Sequence, residues 1–165
     1  SIMKLSPFKI FMISGILCSS SYGLTTGSDV PIFNALDDTE RRWSISKAVQ
    51  KSGIVLFFYP AAMTGGFTKQ ACGFQDDHKF WMSSGFEVIG ISGDKPKDLS
   101  LFKKEHGISF KMLSNTDGKI ADKFGVPIDK GSKVNRFIVG EKHSLHRGVT
   151  AKRRPFVISA QGRIL

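Results

Sequence analysis

Seven residues, "GIVLFFY" from Gly53 to Tyr59, constrain the fold more than any other stretch of this chain. A helix on a soluble domain turns a polar side chain outward within two turns, and a strand with one wet face alternates. This run does neither. It reads as a central strand buried on both faces, and therefore as a sheet with helices on either side. Pro60 ends it, having no N–H to continue a ladder.

The rest of the chain is consistent with that frame. "DVPIFNALDD" reads as an opening strand and turn, and "TERRWSISKAV" as a short amphipathic helix or loop carrying Trp43. A helix is expected from about Thr68 to Ser83, because Ala71, Phe74, His78 and Trp81 recur on one face. "FEVIGIS" is the next buried strand. "PKDLSLFKKEHG" follows as a helix, with Pro96 in its first turn and Gly107 as its C-cap. "FKMLSN" is a strand, and "TDGKIADKFGV" a turn and short helix. Residues 126–152 read as a long basic connection that includes a hairpin through "NRFIVGEKHS". "PFVISAQGRIL" is a strand, a turn at Gln161-Gly162 and the start of one more strand. Strands alternating with helices imply an α/β domain. A final strand and helix are expected beyond Leu165, so the domain, taken as 29–165, reads as C-terminally incomplete.

With 165 residues, a hydrophobic share of 41% and a mean hydropathy of −0.08, the chain suits one soluble domain with a sizeable core. Residues 1–23 have the pattern of a signal peptide: Lys4 and Lys9, the apolar run "FKIFMISGILC", then the small residues "SSSYG". The run is too short to span a bilayer readily. The expectation is cleavage near Gly23 and a location in the secretory pathway or outside the cell; the alternatives are a simple N-terminal anchor, or a plastid reached through that pathway. After cleavage no membrane association is expected.

The formal net charge of +10 is concentrated late, in Lys130, Lys133, Arg136, Lys142, Arg147, Lys152, Arg153 and Arg154. No aromatic interleaving or motif accompanies them, so a solvated loop is favoured over specific nucleic-acid binding. The cysteines are Cys18 and Cys72; removal of the leader isolates Cys72. No Cys/His cluster has metal spacing, and His143 and His146 are expected to face solvent.

Chemistry is expected at "YPAAMTGGFTKQACGF". Thr64 precedes Gly65-Gly66, and a helix begins near Phe67 or Thr68. Unpaired N–H groups and the positive end of the helix dipole meet there. A thiol at that point would be held as thiolate. A threonine hydroxyl would hydrogen-bond a bound peroxide, and an arginine from a neighbouring strand would polarise its O–O bond.

The stretch resembles the active-site segment of the peroxiredoxins, P-x-x-x-T-x-x-C, with Pro60 and Thr64 in place. "TKQAC", "FEVIGISGD", "HGISFKMLSNTDGKIADKFGV" and "RRPFVISAQGRI" are similar to the peroxiredoxin Q or bacterioferritin comigratory protein subfamily, over roughly Asp29 to Leu165. The resemblance implies a thioredoxin-like fold with a central mixed sheet, no metal or other cofactor, a hydroperoxide substrate and a thioredoxin-like reductant; the oligomeric state stays open, with a monomer as the expectation. It places the peroxidatic cysteine at position 67, the resolving cysteine at Cys72 and the active-site arginine at Arg153, with Arg154 as second candidate.

The departure is at position 67, which is Phe67. A phenyl ring cannot attack an O–O bond. Cys72 is no substitute: five helical steps turn it by about 140° from position 67 and carry it over a turn away from the free N–H groups. It reads as a half-buried small residue beside Ala71. Phe67 extends the apolar face of Ala71 and Phe74, where its ring would fill the pocket floor. The expectation is an antioxidant peroxidase site whose activity is lost or strongly impaired; the alternative is a non-catalytic binding protein using the old site or the basic patch.

Overall fold

In a computed structural model the described residues are 24–62 and 65–165. Residues 1–23, with the expected leader and Cys18, lie outside them. The strands are β1 (Asn34–Asp37), β2 (Arg42–Ser44), β3 (Gly53–Phe58), β4 (Phe86–Ser92), β5 (Lys111–Ser114), β6 (Ile128–Ile138), β7 (Glu141–Ala151) and β8 (Arg154–Ile158). The helices are α1 (Ile45–Ala48), α2 (Gly65–Asp76), α3 (His78–Ser83), α4 (Pro96–His106) and α5 (Lys119–Lys123). Six strands form one sheet in the order β2-β1-β5-β4-β3-β8, and β6 and β7 form a separate pair. β3 runs parallel to β4 and antiparallel to β8, so the central sheet is mixed, as expected.

The apolar run of β3 is explained by two cores. Ile54, Leu56 and Phe58 face one, with Ile89, Ile91 and Leu113 of neighbouring strands and Ile45, Ile120 and Phe124 from the α1 and α5 side. Val55, Phe57 and Tyr59 face the other, with Ala71 of α2 and Leu99 and Phe102 of α4. Phe74 of α2 stacks on Phe57 with ring centroids 4.4 Å apart. All six residues of β3 are buried. Each successive side chain therefore meets a different hydrophobic layer, and any polar residue there would lose its solvation on whichever face it met.

Three local expectations need correction. The helix expected over 68–83 is two helices, α2 and α3, separated at Asp77 with φ −86° and ψ 0°. The face survives the break: Ala71 is buried, while Phe74 and Trp81 pack partly buried against the second core. "TERRWSISKAV" is a strand followed by one helical turn, because alternation lets Trp43 enter the core opposite Ala35 of β1 while Arg42 stays in solvent. The basic connection is a hairpin through nearly its whole length, far longer than "NRFIVGEKHS". Its ladder runs from Ile128↔Ala151 to Ile138↔Glu141. Its polar composition hid the strands. They hold because Ile138, Leu145 and Ala151 are buried and because β7 comes very close to the main body.

That approach depends on glycine. The Gly148 N–H donates to the Gly93 carbonyl at 3.0 Å. A Cβ at Gly148 would overlap the Thr116 carbonyl, and one at Gly93 the Val149 carbonyl. After β8 the chain turns at Gln161-Gly162, and Ile164 forms an isolated β-bridge back to Ile158. Gly148→Ala should lower unfolding free energy by about 2 kcal/mol or more, from overlap with main chain that cannot yield. Gly73→Ala, inside α2 where nothing lies within 4 Å, should raise it by roughly 0.5 to 1 kcal/mol. Urea midpoints of the two variants should move in opposite directions.

Candidate active site

The carboxyl end of β3 carries Tyr59, Pro60, Ala61 and Ala62 directly toward the start of α2. This is the edge at which the parallel strands of an α/β sheet leave helix N-termini and loops free to bind ligands. Pro60 is half-buried; Ala61 and Ala62 are buried. Thr64 lies outside the described residues, as does the side chain of Phe67. The backbone at position 67 belongs to the first turn of α2, where a helix still has unpaired N–H groups. Cys72 lies on α2 as a half-buried free thiol between buried Ala71 and Gly73, in agreement with its reading as a small residue packed on the helix.

The register of β8 bears on the two arginine candidates. Arg154 is opposite Phe58 and Pro155 opposite Phe57. Strand alternation thus puts Arg154 on the Phe58 side of the sheet, away from α2. Continued one residue back, it puts position 153 on the side of Phe57 and Tyr59, which α2 covers. Arg153 is exposed in the short link between β7 and β8, and the adjacent Lys152 N–H is tied to the Pro127 carbonyl at 2.9 Å. The structure thus gathers Pro60, Arg153 and the first turn of α2 at one edge of the sheet, with Cys72 further along the helix.

Sequence reasoning missed the residue beneath the loop. Asp94, just after β4, is 4% exposed. Its Oδ2 accepts the Ala62 N–H at 2.9 Å and the Ser92 hydroxyl at 2.7 Å. Burial pushes the Asp94 carboxyl above its ordinary value; the Ala62 N–H, the Ser92 hydroxyl and the charge of Arg147 oppose that push, and Asp98 adds to it. The Tyr59 hydroxyl is fully buried in the same cluster, and burial, then the Asp94 charge, holds its pKa well above the usual range. The available signal was an acidic residue ending an apolar strand, in "FEVIGISGD".

Other expectations resolve as follows. His143 and His146 are half-buried, not solvent-facing, and His143 Nε2 lies 3.8 Å from Glu141 on the same strand. A cleft of about 660 Å³ lies at the opposite edge, around Lys51, Phe86, Lys103 and Lys111, and contains none of the expected site residues. Among the described residues no helix is long and apolar enough to cross a membrane.

Residues 26–165 match the family model described as AhpC/TSA family. The chain belongs to that family. It is 40% identical over 116 residues to the chloroplastic peroxiredoxin Q of Triticum aestivum, covering 70% of this chain and 52% of the relative. Peroxidoxin BcpB from Mycobacterium tuberculosis, a solved structure, has a TM-score of 0.70 at 32% identity over 86% of this chain and 83% of that one. A Xylella fastidiosa PrxQ mutant, at 19% identity, has a TM-score of 0.70 over 87% and 84% of the two chains, which bears on the fold alone. These likenesses support the peroxiredoxin Q or bacterioferritin comigratory protein subfamily and the thioredoxin-like fold. The chain spans about half the length of the chloroplastic relatives it matches.

A buried acid whose folded pKa is raised binds its proton more tightly in the native state. Its ionisation therefore erodes stability as pH rises from the unfolded value near 3.8 through the folded one. Asp94→Asn has no such titration. Unfolding free energies measured between about pH 4 and pH 7 should show the unmodified chain losing ground to the variant as pH rises, then running parallel. A difference that is flat, or slopes the other way, would contradict this placement of the carboxyl group.

Proposed function

We propose that this is a peroxiredoxin Q-like protein whose thiol peroxidase chemistry is lost or strongly impaired, because Phe67 occupies the peroxidatic position. The observation that carries the reading is the meeting of Pro60, Arg153 and the first turn of α2 at the end of the central strand, with a phenylalanine in the sequence where that turn would present a nucleophile. With a thiolate at position 67, attack on a hydroperoxide would break the O–O bond, giving sulfenic acid and, once protonated, the alcohol or water. The Cys72 thiol would then condense with the sulfenic acid, forming a disulfide and releasing water, and a thioredoxin-type dithiol would reduce it. Thr64 and Arg153 would bind and polarise the peroxide. Phe67 supplies no electron pair for the first step.

The compartment belongs to the same proposal. The plant relatives are named as chloroplastic, which supports delivery to a plastid, with residues 1–23 as part of the targeting signal.

The charge distribution favours a second reading, as a binding protein. From Ile128 to Arg154 there are eight Lys and Arg against two acidic residues, six of the ten net positive charges of the chain. Five of the eight lie on a hairpin whose tip exposes Phe137 at 77% and Val139 at 65%. Such a surface suits an acidic protein segment. A fluorescent acidic peptide should bind with salt-sensitive affinity and lose at least tenfold on Lys133→Glu with Lys142→Glu; unchanged affinity would remove this reading.

The peroxidase reading is tested by mixing the purified chain with hydrogen peroxide, thioredoxin and thioredoxin reductase. Peroxide-dependent reductant consumption should stay at background. Phe67→Cys should raise it by roughly 100-fold or more if the remaining site is intact. Turnover by the unmodified chain would overturn the assignment of Phe67 as a lost nucleophile, and a silent Phe67→Cys would remove the peroxiredoxin site altogether.

A further inference from the structure

We propose that Asp94 is the positioning residue of this site: its buried carboxylate fixes Ala62, just after β3, and so sets where the first turn of α2 presents position 67. The inference deepens the peroxiredoxin reading and rests on it for the chemistry at position 67.

Asp94 is held from several sides before it reaches the loop. Its carbonyl accepts the Ser114 hydroxyl at 2.6 Å, from the end of β5. Its own N–H donates to the Ser92 hydroxyl oxygen at 3.3 Å, and that hydroxyl donates back to Oδ2 at 2.7 Å. It bridges antiparallel to Arg147 of β7, next to the close contact of Gly93 with Val149. β4, β5 and β7 therefore define its position independently of the loop. From that frame, Oδ2 reaches a main-chain N–H 32 residues away in sequence, at Ala62.

A carboxylate is an expensive choice for this place. Arg147, the cation that acts on it, has its guanidinium hydrogen-bonded to Thr150 and Ser132. Asp98, the other acid facing it, accepts the His146 N–H at 2.7 Å. Tyr59 and Ser92 complete the surroundings. An alkyl group would pack at less desolvation cost but would leave the Ala62 N–H unpaired. What the carboxylate adds is a charge-assisted bond that fixes the loop at a point five residues before position 67. A loop held in this way keeps the helix N–H groups aimed at one point, which is the condition for a low thiol pKa and for in-line attack.

The test compares Asp94, Asp94→Asn and Asp94→Ala, each in the native sequence and with Phe67→Cys. Peptide-resolved alkylation against pH reads the pKa of the thiol at position 67 separately from Cys72. Amide exchange reads Ala62 and the strands. Asp94→Ala should raise that thiol pKa by about one pH unit, slow its reaction with peroxide at least tenfold and speed Ala62 exchange at least tenfold, while β3 to β5 keep their protection. Asp94→Asn retains an acceptor oxygen and should fall between. An unchanged thiol pKa with unchanged Ala62 exchange would overturn the proposal. So would loss of protection spread evenly over β3 to β5, which marks a purely structural role. If Phe67→Cys is inactive yet Ala62 alone is released in both Asp94 variants, the positioning role stands and the peroxidase reading falls.

Discussion

The structure depends on the burial of β3 between two hydrophobic layers. Every residue from Gly53 to Phe58 is withdrawn from water, and the side chains alternate between a core backed by α1 and α5 and one backed by α2 and α4. Apolar burial on this scale is the main favourable term in folding. β4 lies parallel to β3 on one side and β8 antiparallel on the other, so the chain leaves β3 at a defined edge. The loop, the helix start and the β7–β8 link meet at that edge because β3 ends there.

The same core holds the elements that frame position 67. Pro60 follows from the end of the strand. α2 is held by Ala71 and by the stacking of Phe74 on Phe57, on the far side from any chemistry. Asp94 is held by β4, β5 and β7. None of these contacts involves a thiol.

The sheet, the order of its elements and the segment that carries the candidate site were legible because each rests on local patterns: an unbroken apolar run, a Pro at its end, Gly-Gly before a helical period. The hairpin was legible only at its centre. Its strands are too polar for periodicity to reveal, and their stability comes from a few buried side chains and from glycines that let main chain touch main chain. The resemblance put Arg153 before Arg154, and the register of β8, with Arg154 opposite Phe58, bears on that choice in a way no local pattern does.

The sequence by itself determined that this is an α/β chain of the peroxiredoxin kind, which segment carries its candidate site, and that no cysteine stands at position 67. These follow from residue identity and from spacing along one segment. Only the tertiary structure decided that Asp94 lies beneath the site loop, that register sets Arg153 on the α2 side, and that the basic connection is an ordered hairpin against the body. Each of these is a contact between segments distant in the sequence, fixed by how strands pair and where backbones can approach, and no local pattern encodes such a pairing.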